Sequence, residues 1–135
     1  EIIKQTDIIS AFIAGSGTGG TLMGVSTALK AKNIKAKIIQ VQPEEANALH
    51  GIQGINDGED FLLDKSIVDE TIYIKTKEAI ARAKRLAKEN GLLVGISAGA
   101  NVLAAERWVK ENSPEHPVVT ILCDRGERYF SCYED

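Results

Sequence analysis

Two hydrophobic rhythms alternate along this chain, and the switches between them mark its elements. Ile8-Ile9-Ser10-Ala11-Phe12-Ile13 is rich in β-branched and aromatic residues, the pattern of a buried strand, and Ala36-Lys37-Ile38-Ile39-Gln40-Val41 repeats it. Between them Leu22, Val25, Ser26 and Leu29 fall on one helical face. Lys30 and Lys32 occupy the last turn, where positive charge suits the helix dipole, and Asn33 is placed to cap it. Thr71-Ile72-Tyr73-Ile74 predicts a third strand, after which Thr76 is expected to cap a helix running to Asn90 with Glu78 in its first turn. The buried stripe of that helix is Ala79, Ile80, Ala83, Leu86 and Ala87. Lys77, Arg82, Lys84, Arg85 and Lys88 oppose it as a solvated face, and Gly91 closes it as a left-handed cap.

Further on, the apolar run from Leu92 breaks at Ser97 into a helix predicted over 100–110. Val118-Val119-Thr120-Ile121-Leu122-Cys123 then reads as a continuous strand of the fully buried parallel type. Strands that alternate with helices, with connections long enough for crossovers, predict an α/β fold. The expectation is a parallel β-sheet flanked by helices in three layers, forming a single domain over residues 1–135.

Between the first strand and its helix lies Ala14-Gly15-Ser16-Gly17-Thr18-Gly19-Gly20-Thr21, with four glycines in six positions. Glycines let the backbone turn sharply and come close to a ligand, while the first N–H groups of the helix point outward, so the loop is a candidate phosphate cradle. One helix start contributes about 0.3–2 kcal/mol towards an anion, so several amides and the Thr18 and Thr21 hydroxyls must share the load. Gly15, Gly17 and Gly20 satisfy GxGxxG, but the second strand leads into Gln42 and Pro43 rather than a ribose-binding acid, which counts against a dinucleotide. A nucleotide-hydrolysing loop needs lysine where Thr21 stands.

Residues 42–69 lack sustained periodicity and carry Pro43, Gly51, Gly54, Gly58 and seven acidic side chains, a long connection of the kind that serves function. Within it His50-Gly51-Ile52-Gln53-Gly54-Ile55 is less polar than its surroundings, as a segment packed against a site would be. A lone loop histidine such as His50 is more often a hydrogen-bonded surface residue than a base, and His116, beside Pro117, is weaker still. Gly95, Ser97 and Gly99 spell GxSxG, the nucleophile-elbow pattern, but His116 precedes Asp124 and the hydrolase order is broken. Ser97 is left as a helix cap or as a hydroxyl that addresses a ligand. Charged residues from Asp124 to Arg128 gather just past the last strand, the edge of a parallel sheet where ligands collect.

Composition narrows the partners. With 44% hydrophobic and 26% charged residues over 135 positions, the chain can bury a real core. Its net charge of −3, with acids and bases interspersed, leaves no basic stripe for nucleic acid. No apolar run suits a bilayer and no signal peptide is visible, so a cytoplasmic protein without a membrane partner is expected. Cys123 and Cys132 lack companion ligands, which predicts idle thiols rather than a disulfide framework or a metal site. The start at Glu1-Ile2-Ile3-Lys4, apolar and at once followed by a core strand, reads as the remnant of a longer helix.

Four segments together resemble a known family. Gly17-Thr18-Gly19-Gly20-Thr21, Ile52-Gln53-Gly54-Ile55, Gly91 to Ala100 and Gly126-Glu127-Arg128-Tyr129-Phe130-Ser131 stand in the order and approximate spacing of cysteine synthase and its relative cystathionine β-synthase. The resemblance covers essentially the whole chain, as the C-terminal portion of such an enzyme. It implies pyridoxal 5′-phosphate as cofactor, with its phosphate on Gly17, Thr18, Gly19, Gly20 and Thr21, Ser97 facing the pyridine nitrogen, and Gly54 lining the substrate pocket. It further implies cysteine formation from O-acetylserine and sulfide by a homodimer. A neutral hydroxyl at the ring nitrogen would not force its protonation as a carboxylate would, which suits elimination of a β-leaving group.

The family's cofactor-bearing lysine and the loop that grips the substrate carboxylate lie in an N-terminal half that the resemblance does not find here. No residue of this chain is therefore nominated as catalytic, and the chain by itself is expected to be inactive. Asn56-Asp57-Gly58-Glu59-Asp60 is also more acidic than the family's usual continuation. The alternatives are cystathionine β-synthase-type activity, a non-catalytic phosphate-binding module and, more remotely, a nicotinamide-dinucleotide oxidoreductase.

Overall fold

The computed structural model describes residues 1–45, 52, 55 and 62–133. Its centre is a parallel sheet of β1 (Ala11–Gly15), β2 (Lys37–Pro43), β3 (Glu70–Ile74) and β4 (Val118–Thr120), in the order β3-β2-β1-β4. β1 pairs with β2 from Ala11 opposite Lys37 to Gly15 opposite Val41, and on its other side with β4 from Ala11 opposite Val118 to Ile13 opposite Thr120. The chain therefore builds outwards from β1 to β2 and β3, then returns to add β4 on the opposite side. β1 is the point where strand order reverses, and in open α/β sheets the crevice beyond the strand ends at such a point is where ligands bind.

Alternation along the strands divides the core in two. Ala11 and Ile13 of β1, with Ile39 and Val41 of β2, pack on one face with Ala79, Ile96, Ala100, Ala104 and Trp108. Those partners come from α3 (Thr76–Asn90) and α4 (Ile96–Asn112). Phe12, Ala14 and Ile38 turn to the other face, against Leu22 and Leu29 of α2 (Gly20–Ala31) and the half-buried Ile2 and Ile3 of α1 (Ile2–Gln5). Period-two strands with both faces covered make the three-layer arrangement expected from the pattern. A short 3-10 turn, Lys65–Ile67, leads into β3, and a second, Gly126–Tyr129, into α5 (Phe130–Tyr133).

Several boundaries differ from the sequence expectation for identifiable reasons. The first strand begins at Ala11, with Ile8 half exposed before it. The last predicted strand ends at Thr120 and is only half-buried: β4 has β1 on one side and no second partner among the described residues, so Leu122 and Cys123 are exposed. Leu92 and Leu93 are exposed too, and Val94 makes a lone antiparallel bridge to Arg125. The helix that follows starts at Ile96, four residues before its predicted start, because its whole first turn is buried.

The helix C-termini follow the sequence pattern closely. Gly91 closes α3 at φ 69°, and Asn33 takes φ 56° just beyond the α2 C-cap, Lys32. Thr76 is not a cap. It is the first residue of α3, and the Glu45 carboxylate accepts from both its N–H (2.9 Å) and its hydroxyl (3.1 Å). Nor is Arg82 part of the solvated face: its side chain is only 11% exposed and grips Glu106 of α4 at 2.6 Å. Ile52 and Ile55 are buried in the core on the α3–α4 side, as the apolar segment of the long connection suggested, whereas His50 and Gly54 lie outside the described residues. Among the described residues no helix is long and apolar enough to cross a membrane, and no cluster of metal-ligating side chains forms.

Candidate functional site

Beyond the C-terminal end of β1 the chain enters the glycine loop. Gly19 stands at φ 89° as the N-cap of α2, and no side chain caps that helix. The first N–H groups of a helix need a partner, and with no capping side chain these suit an anion. Gly17 and Gly20 are half-buried and Thr18 and Thr21 exposed, so a ligand can reach both amides and hydroxyls. The loop's shape is held from outside: Leu62 N–H donates to the Thr18 carbonyl at 3.0 Å, and a Cβ on Gly19 would stand 2.4 Å from that of Leu63. From below, buried Gln40 of β2 donates to the Ser16 hydroxyl at 2.6 Å and accepts from Thr71 at 3.3 Å.

Ser97 lies 5% exposed in the first turn of α4. It does not cap that helix; Gly95 holds the N-cap, and the Ser97 hydroxyl donates to Asp124 Oδ1 at 3.3 Å. One turn later Asn101, fully buried, binds the two regions together. Its Oδ1 accepts the Gly15 N–H at 2.8 Å, and its Nδ2 donates to the Ile121 carbonyl at 2.9 Å. One amide thus fixes the entry to the glycine loop, the start of α4 and the exit of β4, which brings Ser97 and Gly17 to Thr21 to the same edge of the sheet. Asn101→Leu keeps the branched shape but strands the part-buried Gly15 N–H and Ile121 carbonyl, each costing about 1–3 kcal/mol. We expect it to lower the midpoint of urea unfolding without changing the slope, whereas Asn112→Leu, at the exposed end of the same helix, will leave it nearly unchanged.

Asp124 is the second residue that pattern alone did not single out. Its backbone carbonyl accepts from Gly95 N–H at 3.0 Å, and its Oδ2 accepts from the Tyr129 hydroxyl. Burial, the hydrogen bond to Asp124 and the Asp124 charge push Tyr129 up to about 12, so it keeps its proton and acts as a donor. Burial also pushes Tyr133 to about 12, and its hydroxyl donates to the Val94 carbonyl at 2.6 Å. Although Cys123 is exposed as a residue, its sulfur faces Asn101, and burial raises the thiol above its ordinary value. A raised thiol is a poor nucleophile at neutral pH, so the idle reading of this cysteine fits. An open groove of about 610 Å³ between α1, α2 and β4 contains none of these residues. That groove is therefore separate from the cluster of polar side chains at the strand ends.

The family described as pyridoxal-phosphate dependent enzymes matches residues 1–124. The chain belongs to that family. Cysteine synthase B of Campylobacter jejuni is 43% identical over 142 aligned positions, which take in 97% of this chain and 46% of that protein. A cysteine synthase of Staphylococcus aureus is 38% identical over 143 positions, with the same shares. Among solved structures, cysteine synthase of Entamoeba histolytica superposes with a TM-score of 0.87 at 36% identity, over 96% of this chain and 41% of that one. O-acetyl serine sulfhydrylase isoform 3 of the same organism gives 0.83 at 34%, over 91% and 39%. The chain thus spans about half the length of the curated relatives it matches.

The residues present fit the family's cofactor. A dianionic phosphate suits a helix N-terminus that has a left-handed glycine at its cap and no capping side chain, and a heteroaromatic ring nitrogen suits a buried hydroxyl across the same sheet edge. Asn101 could have been suspected from the sequence as the one amide in the apolar stretch Ile96 to Ala105, since a buried polar side chain must have partners. Asp124 carried a weaker signal, one acid in a charged cluster, and only the fold shows that it turns inward.

Proposed function

We propose that Gly17, Thr18, Gly19, Gly20 and Thr21 hold the 5′-phosphate of pyridoxal phosphate and that Ser97 lies beneath its pyridine nitrogen. The complete enzyme replaces the acetate of O-acetylserine with sulfide, giving L-cysteine and free acetate. The observation that carries this reading is the bridge through Asn101, which ties the start of the glycine loop to the helix that bears Ser97. When bound, pyridoxal phosphate supplies an electron sink for negative charge at the substrate's Cα. This chain's part is to anchor and orient: the α2 amides fix one end of the cofactor, and the buried first turn of α4 keeps water from the other.

Gly54 is assigned to the substrate pocket on the pattern Ile52-Gln53-Gly54-Ile55 alone. The lysine that carries the cofactor is assigned to polypeptide outside these 135 residues, so the chain by itself is not expected to turn over. Two cysteines without a disulfide suit a reducing cytoplasm, and we place the enzyme there as a homodimer.

The full polypeptide that carries this chain, supplied with pyridoxal phosphate, O-acetylserine and sulfide, is expected to release cysteine and acetate in equal amounts. It is also expected to bind pyridoxal phosphate far more tightly than inorganic phosphate. Equal affinity for the two would make the loop a general anion site. Faster turnover with homocysteine than with sulfide would move the enzyme to the cystathionine β-synthase reaction.

A further inference from the structure

Gly15 is the one glycine of the GxGxxG pattern that the phosphate cradle does not use. It closes β1, and it has no need of glycine's conformational range: among the described residues, the glycines at positive φ are Gly19 and Gly91. What position 15 requires is space. A Cβ there would stand 2.4 Å from Ile55 Cδ1 and 2.6 Å from Ile55 Cγ1, well inside contact, while Asn101 Oδ1 would lie at an ordinary 3.4 Å. The room left by the missing side chain is taken by Ile55.

Ile55 is not free to give way. It is 2% exposed and belongs to the core cluster that holds Ile13, Val41, Ile52 and Ile74. A β-branched side chain is stiff at χ1, and a close-packed interior leaves few other rotamers open to it. The Ile55 N–H donates to the carbonyl of Ile52, which is itself fully buried, at 3.4 Å. Gly15 is equally fixed, since Asn101 accepts its N–H at 2.8 Å and Val41 of β2 lies opposite it in the sheet. A methyl group at position 15 is thus relieved chiefly by moving the Ile55 main chain. That displaces the residue bonded to it, Gly54.

We propose that Ile55, seated on Gly15, is a positioning residue for the amino-acid substrate. It ties the segment Ile52-Gln53-Gly54-Ile55 to the foot of the glycine loop, so that the loop fixing the cofactor phosphate also sets where O-acetylserine lies. The inference rests on the reading that places Gly54 in the substrate pocket. It separates Gly15 from its neighbours: Gly17 to Thr21 hold the cofactor, and Gly15 serves the substrate.

The test compares the full-length enzyme with Gly15→Ala, Ile55→Ala and the double variant in cofactor titration, O-acetylserine kinetics and thermal unfolding. In Gly15→Ala, kcat/KM for O-acetylserine should fall roughly 10- to 100-fold, the scale of a misplacement of about 1 Å, with pyridoxal phosphate affinity unchanged. Ile55→Ala removes both atoms that the new methyl would strike. Adding Gly15→Ala to it should therefore cost nothing further in kinetics or in melting temperature. Should Ile55→Ala fail to fold, Ile55→Val removes the nearer atom, and in its background the Gly15→Ala loss should be smaller than in the parent. A loss of equal size in both backgrounds overturns the proposal, and so does a Gly15→Ala enzyme that loses cofactor affinity as much as substrate use. If melting temperatures show the coupling while O-acetylserine kinetics ignore every variant, Ile55 is seated as described but Gly54 is not at the pocket, and the functional reading of that segment fails.

Discussion

Gly19→Ala will cost the protein most of its affinity for pyridoxal phosphate. Gly19 sits at φ 89°, where an L-residue carries a penalty of about 1–2 kcal/mol. Its missing side chain also faces Leu63, whose Cβ and backbone N would lie 2.4 and 2.8 Å from the new methyl. The backbone nitrogen cannot swing aside like the end of a flexible side chain, so the loop itself must move. The amides at the start of α2 are what the loop aims, and hydrogen bonds to a charged group contribute about 1.5–3 kcal/mol each. Misdirecting one of them corresponds to roughly 10- to 100-fold weaker binding at about 1.4 kcal/mol per factor of ten. Gly24→Ala is the matched control. Gly24 lies in the same helix with nothing within 4 Å of an added Cβ, so alanine there should bind the cofactor normally and stabilise the helix by up to about 1 kcal/mol. Fluorescence titration of pyridoxal phosphate into the two full-length variants separates the outcomes; equal affinities would mean that Gly19 does not shape the cradle.

Much of this fold is legible in the amino-acid sequence, and the rest is not, for physical reasons. The strand cores around Phe12 and Ile39 and the stripe of α3 depend on local period and burial, which neighbouring residues encode directly. The glycine loop was legible for the same reason, since four glycines between a strand and a helix have few structural uses other than close approach. What escaped depends on residues distant in sequence. β4 is short and half-buried because of what pairs beside it, a fact absent from Val118 to Cys123 themselves. Glu45 displaces the expected Thr76 cap from 31 positions away, and Arg82 leaves the solvated face because α4 brings Glu106 to it. Asn101 and Asp124 belong to the same class. Their roles come from partners 86 and 27 residues distant, which only the return of the chain from β3 to β4 brings together.

That return depends on how tightly α4 can lie on α3, and Gly99 sets the distance. A Cβ at this position would stand 2.2 Å from the Ala79 carbonyl oxygen, 2.9 Å from the Ala83 nitrogen and 3.0 Å from the Ala83 Cβ. Two of the three are backbone atoms of a helix, so relief requires the helices to part. Overpacking of this kind costs about 1–3 kcal/mol and sometimes more, offset in Gly99→Ala by about 1 kcal/mol of better helix propensity. The 2.2 Å approach to a backbone oxygen puts the cost at the upper end of that range, so Gly99→Ala is expected to destabilise the fold by about 1–2 kcal/mol, and Gly99→Val, with two further methyl groups and a stiffer χ1, by about 3–5 kcal/mol. Parting the helices also shifts Ser97 and Asn101, two residues to either side on α4, so cofactor affinity should fall together with the melting temperature. Gly91→Ala provides the contrast. It strains a left-handed cap but meets nothing within 4 Å, so it should lower the melting temperature while leaving pyridoxal phosphate affinity unchanged in the molecules that remain folded. Thermal unfolding and cofactor titration of the three full-length variants decide the matter, and a Gly99→Val enzyme that melts like the parent would show that α3 and α4 do not need this contact.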